Sequence, residues 1–150
     1  MTRSKAPLAM MEQMVMLLVF ALAAALCLQA FVKSDGMSKR GEARDRAVVL
    51  VQNAAEAVRA CGGDFEEAAQ LLGAEDWDEE SITLNYNSGW EPVAPGGSGL
   101  HYMLGVGRMD DSGVPSMGKA VVYVKDLTIL SADDDLFRIE VAWQEVSAHD

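Results

Sequence analysis

MVMLLVFALAAALCLQAFV, residues 14–32, decides how the rest of the chain is read. These 19 residues carry no formal charge, and Gln29 is their only strongly polar side chain. At a helical rise of ~1.5 Å per residue the stretch spans about 28 Å, close to the hydrocarbon thickness of a bilayer. Leu, Ala and Met dominate it, and neither Gly nor Pro interrupts it, so a helix is the natural conformation. The stretch reads as a single membrane helix. It divides the chain into a short N-terminal tail, one span, and a body on one side of the membrane.

Three other readings compete. A removable secretory signal would use Arg3 and Lys5 as its basic region and Leu28-Gln29-Ala30 as its cleavage site. That site is poor, the apolar run exceeds the usual length, and helical sequence continues beyond it. A lipoprotein signal fails at Cys27, because Leu26 is too bulky for the small residue needed before it. A core helix of a soluble protein fails on size, since so small a body hardly covers an apolar helix on all sides.

Charge is distributed unevenly around the span. The chain has 150 residues and a net charge of −11, yet only Arg3, Lys5 and Glu12 are charged before Lys33. The acidity therefore belongs to the body, which argues against nucleic acid as a partner and against adhesion to anionic lipid. Orientation stays open on charge alone. Lys33, Lys39, Arg40, Arg44 and Arg46 follow the span, and the positive-inside rule would hold them in the cytoplasm. A basic tail before an apolar run is equally the normal export arrangement. Cys27 in the span and Cys61 in the body are the two cysteines; their placement predicts no internal disulfide, and Cys61 reads as a quiet, half-buried thiol.

Helical pattern continues past the span. Ala43, Ala47, Leu50 or Val51, Ala54, Val58 and Cys61 recur at intervals of three and four. This predicts one long helix from about Leu8 to Ala60 with a small, apolar face along its second half. Ser34-Asp35-Gly36 is the one local interruption, and Gly36 is a candidate hinge. Pro7 fits a first helical turn. Gly62-Gly63 should end the helix. Asp64, with Glu67 three residues on, opens a short second helix that Gly73 closes. Residues 74–80, AEDWDEE, read as an acidic loop.

From Ser81 the period changes to two. Ile82, Leu84 and Tyr86 alternate with polar residues. Residues 102–109 are a second strand, 119–125 a third that is a candidate to run on to Ile129, and 136–145 a fourth. Pro92 to Gly99 and the Asp110-Asp111 segment punctuate them, with a turn at 131–135. Short connections imply an antiparallel meander. The expected fold is α+β: a long N-terminal helix, part membrane and part amphipathic, packed on a small antiparallel sheet of about four strands. The organisation follows as a basic leader 1–7, an anchor helix 8–36, an amphipathic helix and short second helix 37–73, and a sheet domain 74–150.

Chemistry-bearing motifs are sparse. His101 precedes a strand and His149 is penultimate; neither has a Ser, Cys or carboxylate at a recognisable catalytic spacing. Gly105 and Gly107 lack the strand-turn-helix context of a phosphate loop and read as strand glycines. Asp110-Asp111 and Asp133 to Asp135 do not match a calcium loop, and acidic turn residues are the ordinary explanation. Trp77, Trp90 and Trp143 read as core or rim aromatics. The expectation is no enzyme, no cofactor, no metal and no small-molecule substrate. A secreted enzyme is the weakest reading, since no constellation supports it.

The whole arrangement resembles a type IV pilin-like protein, a group that includes the pseudopilins of type II secretion and competence systems. The resemblance rests on Arg3 and Lys5 in a short leader, Glu12 near the start of the apolar run, and the passage into an amphipathic helix followed by strands. In that family the leader is cut just before the apolar stretch, after Gly or sometimes Ala, and a Glu falls fifth in the mature chain. Carried over here, Glu12 in fifth place puts the cut between Pro7 and Leu8, whereas a cut after Ala6 makes it sixth. Pro7 departs from the family pattern at that position.

The resemblance further implies that Glu12 pairs with the free terminal amine of a neighbouring subunit as helices bundle. A carboxylate in lipid is costly without such a partner. It also implies a cytoplasmic N-terminus, an extracytoplasmic C-terminal domain, and partners in the lipid bilayer, other pilin-like subunits and assembly machinery. The leading expectation is a non-enzymatic, single-pass subunit of a filament or secretion pseudopilus. The alternative is a membrane-tethered extracytoplasmic binding or sensor module that does not polymerise.

Overall fold

A computed structural model of the chain describes residues 6–109, 116–129 and 135–145. The leader up to residue 5, the loop at 110–115, the turn at 131–134 and His149 lie outside the described residues. The fold is α+β, as expected. Helix α1 runs unbroken over Ala6–Ala60, and a short α2 follows at Phe65–Leu72. Among the described residues six strands follow: β1 Asp76–Trp77, β2 Ser81–Tyr86, β3 Pro92–Val93, β4 Tyr102–Met109, β5 Met117–Asp126 and β6 Asp135–Gln144. Two compact units divide the chain, at residues 1–42 and 43–150.

In the first unit α1 stays helical through Ser34-Asp35-Gly36, so the interruption there does not break it. Lys39 Nζ meets Asp35 Oδ2 at 2.8 Å, one turn apart. That hydrogen bond, with the Asp35 charge, raises the Lys39 ammonium above its ordinary range, and such i,i+4 pairs favour the helix.

The second unit begins where α1 starts to bury a stripe. Ala47, Val51, Ala54 and Val58 are wholly buried and Ala43 nearly so, which is the spacing of three and four expected of an inward face. Two glycines then stop the helix. Gly62 and Gly63 have φ of +60° and +85°, and their N–H groups donate to Arg59 O and Val58 O at 3.1 and 3.0 Å. This double closure satisfies carbonyls that the helix end leaves free. Asp64 caps α2, its Oδ1 accepting from Glu67 N at 3.1 Å. Gly73, at φ +69°, closes α2 in the same left-handed conformation.

The sheet is antiparallel throughout, in the order β1-β2-β4-β5-β6, with β3 also on β2. Register aligns apolar rows across it: Ile82, Val106, Val122 and Ile139 form one, and Leu84, Leu104, Val124 and Phe137 the next. This face packs with the α1 stripe and with Phe65, Ala68 and Ala69 of α2 in one core. On the opposite face the Tyr123 ring covers Gly105, where an added Cβ would lie 2.5 Å from it. Gly105 is thus a strand glycine chosen for close approach, as the sequence suggested.

Three expectations need correction. The segment 74–80 is not simply a loop: Asp76 and Trp77 pair with Thr83 and Ile82 as β1. Its turn is built by Asp78, whose Oδ1 accepts from Glu80 N and Ser81 N at 2.8 and 2.7 Å. Pro92 and Val93 pair with Tyr86 and Asn85 as β3, so β1 and β3 share the outer edge of β2. Finally, β5 starts at Met117 and stops at Asp126, short of Ile129, while Asp135 opens β6 instead of closing a turn. An irregularity in pairing at Val124 and Lys125 absorbs the extra residue at that end.

Candidate functional site: an exposed apolar helix and an aromatic corner

The first half of α1 is the most unusual surface of the chain. Every residue from 9 to 42 is exposed, large apolar side chains included. Met14 is 72 % exposed and Phe31 79 %. Single exposed apolar residues are ordinary, but a helix apolar on all sides has no stable home in water. Among the described residues, one helix is long and apolar enough to cross a membrane, and none of its most apolar window is buried. A core helix of a soluble protein would be mostly covered.

Glu12 lies on this helix, exposed and two residues before the uncharged run. Ala6, Pro7 and Leu8 form the start of α1, so Pro7 occupies a first turn, where its missing N–H has no helical partner to lose. Cys27 is exposed on the apolar segment, and Cys61 is half-buried in the second unit. Burial, aided by the nearby Glu67 and Asp64 charges, pushes the Cys61 thiol upward and away from reactivity.

A second constellation was not legible from spacing. The register of β4 on β5 sets Tyr102 opposite Asp126 and so brings His101 beside that carboxylate. His101 Nδ1 lies 3.8 Å from Asp126 Oδ1, beyond hydrogen-bond reach. This nitrogen is buried and has no hydrogen-bond partner among the described residues. Asp126 Oδ1 instead accepts from Thr128 N at 2.9 Å and Thr128 Oγ1 at 2.6 Å. The sequence of groups is hydroxyl, carboxylate, imidazole. A nucleophile relay needs the imidazole in the middle, so this corner does not activate the Thr128 hydroxyl.

Aromatic rings crowd the same corner. The Trp90 indole stacks on Tyr102 with centroids 3.9 Å apart and planes 9° from parallel, and Tyr86 lies 6.2 Å from Trp90. Trp90 reaches this position with φ of +64°, unusual for a bulky residue. Asn87 holds the turn that permits it, accepting from Gly89 N at 2.8 Å and Glu91 N at 3.0 Å through its side chain. Burial raises both tyrosine hydroxyls above their ordinary range, with the Asp126 charge adding to the effect at Tyr102. The corner is thus an aromatic cluster in which the half-buried Trp90 covers two buried tyrosines.

The acidic runs proposed and set aside as cation sites are only partly visible. Asp110, Asp111, Asp133 and Asp134 lie outside the described residues. Asp135 faces cations already present, with Lys125 at 3.8 Å and Arg138 at 3.9 Å. No family model, curated protein or solved structure matches the chain.

Proposed function

We propose that the chain is a single-pass membrane protein whose 43–150 unit is held at one face of the bilayer. It acts as a non-enzymatic, pilin-like or pseudopilin-like subunit of a filament or secretion apparatus. The observation that carries this reading is the change of character along α1. Up to Val32 the helix exposes apolar side chains on every side, residues 33–42 are exposed and mostly polar, and from Ala43 it buries a stripe against the sheet. A helix of this kind needs lipid or like helices around its first half. The resemblance described above supplies the assembly role, with Glu12 as the register-setting carboxylate, the N-terminus cytoplasmic and the sheet domain extracytoplasmic. The unbroken helix through residues 28–31 favours retention of the anchor over removal as a signal, since signal cleavage needs an accessible site after the apolar run.

Intact mass and N-terminal sequencing of the membrane-extracted protein test the proposal. A mature chain starting at Pro7 or Leu8 supports subunit assembly. An uncut chain overturns that role and leaves a tethered binding module. A start near Phe31 overturns the anchor itself.

A further inference from the structure

The two edges of the sheet differ. The outer edge of β2 is covered in two pieces, by β1 at Ile82 and Thr83 and by β3 at Asn85 and Tyr86. The ten residues of β6 pair with β5 on one side, and among the described residues nothing pairs with the other. An open edge of this length offers a row of backbone donors and acceptors to another strand. Natural sheets block such edges with Pro, with bulges or with charges pointing inward. Between Phe137 and Trp143 there is no Pro or Gly, and the pairing irregularity sits before Phe137.

The side chains along this edge select what can pair with it. Arg138 and Glu140 are exposed, opposite in charge and two residues apart, so both stand on the face away from the core. In an antiparallel pair centred on Ile139, position 138 of one strand falls opposite position 140 of the other, twice. Opposite charges directly across strands stabilise pairing, and like charges there oppose it. On the core face, Phe137 and Ile139 are only half-buried, whereas Val122 and Val124 beside them on β5 are wholly buried. The same register sets Phe137 against Val141 of the second strand and Ile139 against itself, covering what the edge leaves open. The acidic stretch Glu75, Asp76, Asp78, Glu79 and Glu80 belongs to the β1 side, the far edge of the sheet. On β6 itself Asp135 and Glu140 stand against one cation, Arg138.

We infer that β6 is a self-association edge, where a second copy of this chain adds its own β6 antiparallel about a two-fold axis at Ile139. The inference goes beyond the membrane reading and rests on the strands of the 43–150 unit alone.

The test uses the full chain in a non-ionic detergent. Sedimentation equilibrium compares the natural sequence with Arg138→Glu, Glu140→Arg and the double swap. All three changes are at exposed positions, so folding is retained. Each single change sets like charges opposite each other and should weaken dimerisation about tenfold, and the double swap should restore it. A dimer indifferent to all three changes forms through another surface, such as the apolar helix, and overturns the inference; so does a natural chain that stays monomeric. An independent readout is the Ile139→Cys chain with Cys27→Ser and Cys61→Ser. It should form a disulfide-linked dimer that Arg138→Glu suppresses. A crosslink unaffected by Arg138→Glu also overturns the inference.

Discussion

Gly63 and Trp143 lie so close that no β-carbon fits between them: one placed on Gly63 would fall 2.1 Å from Trp143 Cε2. Gly118 approaches the same indole from β5, with a corresponding distance of 2.4 Å. Arg108 completes the enclosure, its Nη2 donating to Gly63 O at 2.8 Å while its guanidinium lies over the Phe65 and Trp143 rings. The end of α1 is thereby fixed to the sheet by backbone proximity. Gly63→Ala should cost about 3 kcal/mol, from overpacking added to an unfavourable positive φ. Gly62→Ala keeps open space around the new methyl and should cost about 1 kcal/mol, the backbone cost alone. Urea unfolding followed by tryptophan fluorescence reads both. Equal losses would show that the indole yields.

Ala54 makes a parallel prediction in the helix stripe. It is wholly buried, facing the sheet. Ala54→Leu should destabilise by about 1–3 kcal/mol, the usual cost of enlarging a side chain at a wholly buried position. Gln52→Leu, at an exposed position on the same helix, should stay within about 0.5 kcal/mol. The same unfolding curves decide; a neutral Ala54→Leu would mean the helix stands further from the sheet than described.

Asp78 links the β1–β2 turn to pH. Hydrogen bonds from Glu80 N first, then from Ser81, hold its carboxyl below the ordinary 3.8. A carboxyl depressed on folding adds stability above its unfolded value, and that contribution is lost as pH falls through the folded value. Asp78→Ala should therefore lower the urea midpoint at neutral pH, and the two proteins should converge as pH falls below the ordinary carboxylate range. A gap that persists unchanged at low pH would remove the ionised carboxylate from the explanation.

Leu22 stands near the middle of the uncharged run. Leu22→Arg places a cation at the centre of the proposed span, at a cost of about 2.5–3.5 kcal/mol to insertion. The protein should move from the carbonate-resistant membrane fraction to the extractable one. Val49→Arg, exposed in the second unit, should leave fractionation unchanged. A Leu22→Arg protein that remains carbonate-resistant would count against a span at this place.

What could be read from the residues alone follows from how each element is stabilised. The alanine and valine stripe from Ala43 to Val58 and the alternation of β4, β5 and β6 are periodic signals, and burial follows them closely. Strands β1 and β3 carry no such signal. Two residues have no period, Asp76 and Trp77 are exposed, and Pro92 is an unusual strand former; each is a strand only because β2 offers it an edge. Asp135 looked like a turn residue by composition, but pairing with Lys125 across an irregular register draws it into β6. The neighbourhood of His101 and Asp126 was hidden for a similar reason, since only the β4–β5 register brings them together. The apolar run needed no tertiary information, because its length and lack of charge are local.

The split cover on β2 has a consequence for growth. Two short pieces occupy that edge, and Pro92 has no N–H to offer an incoming strand. Among the described residues the sheet thus has a valence of one. Strand addition at a single self-complementary edge is an isologous contact, which closes at two copies. A ribbon of sheets would need a second open edge, and any longer array of this chain must be propagated by a surface other than the sheet's hydrogen-bonding edges.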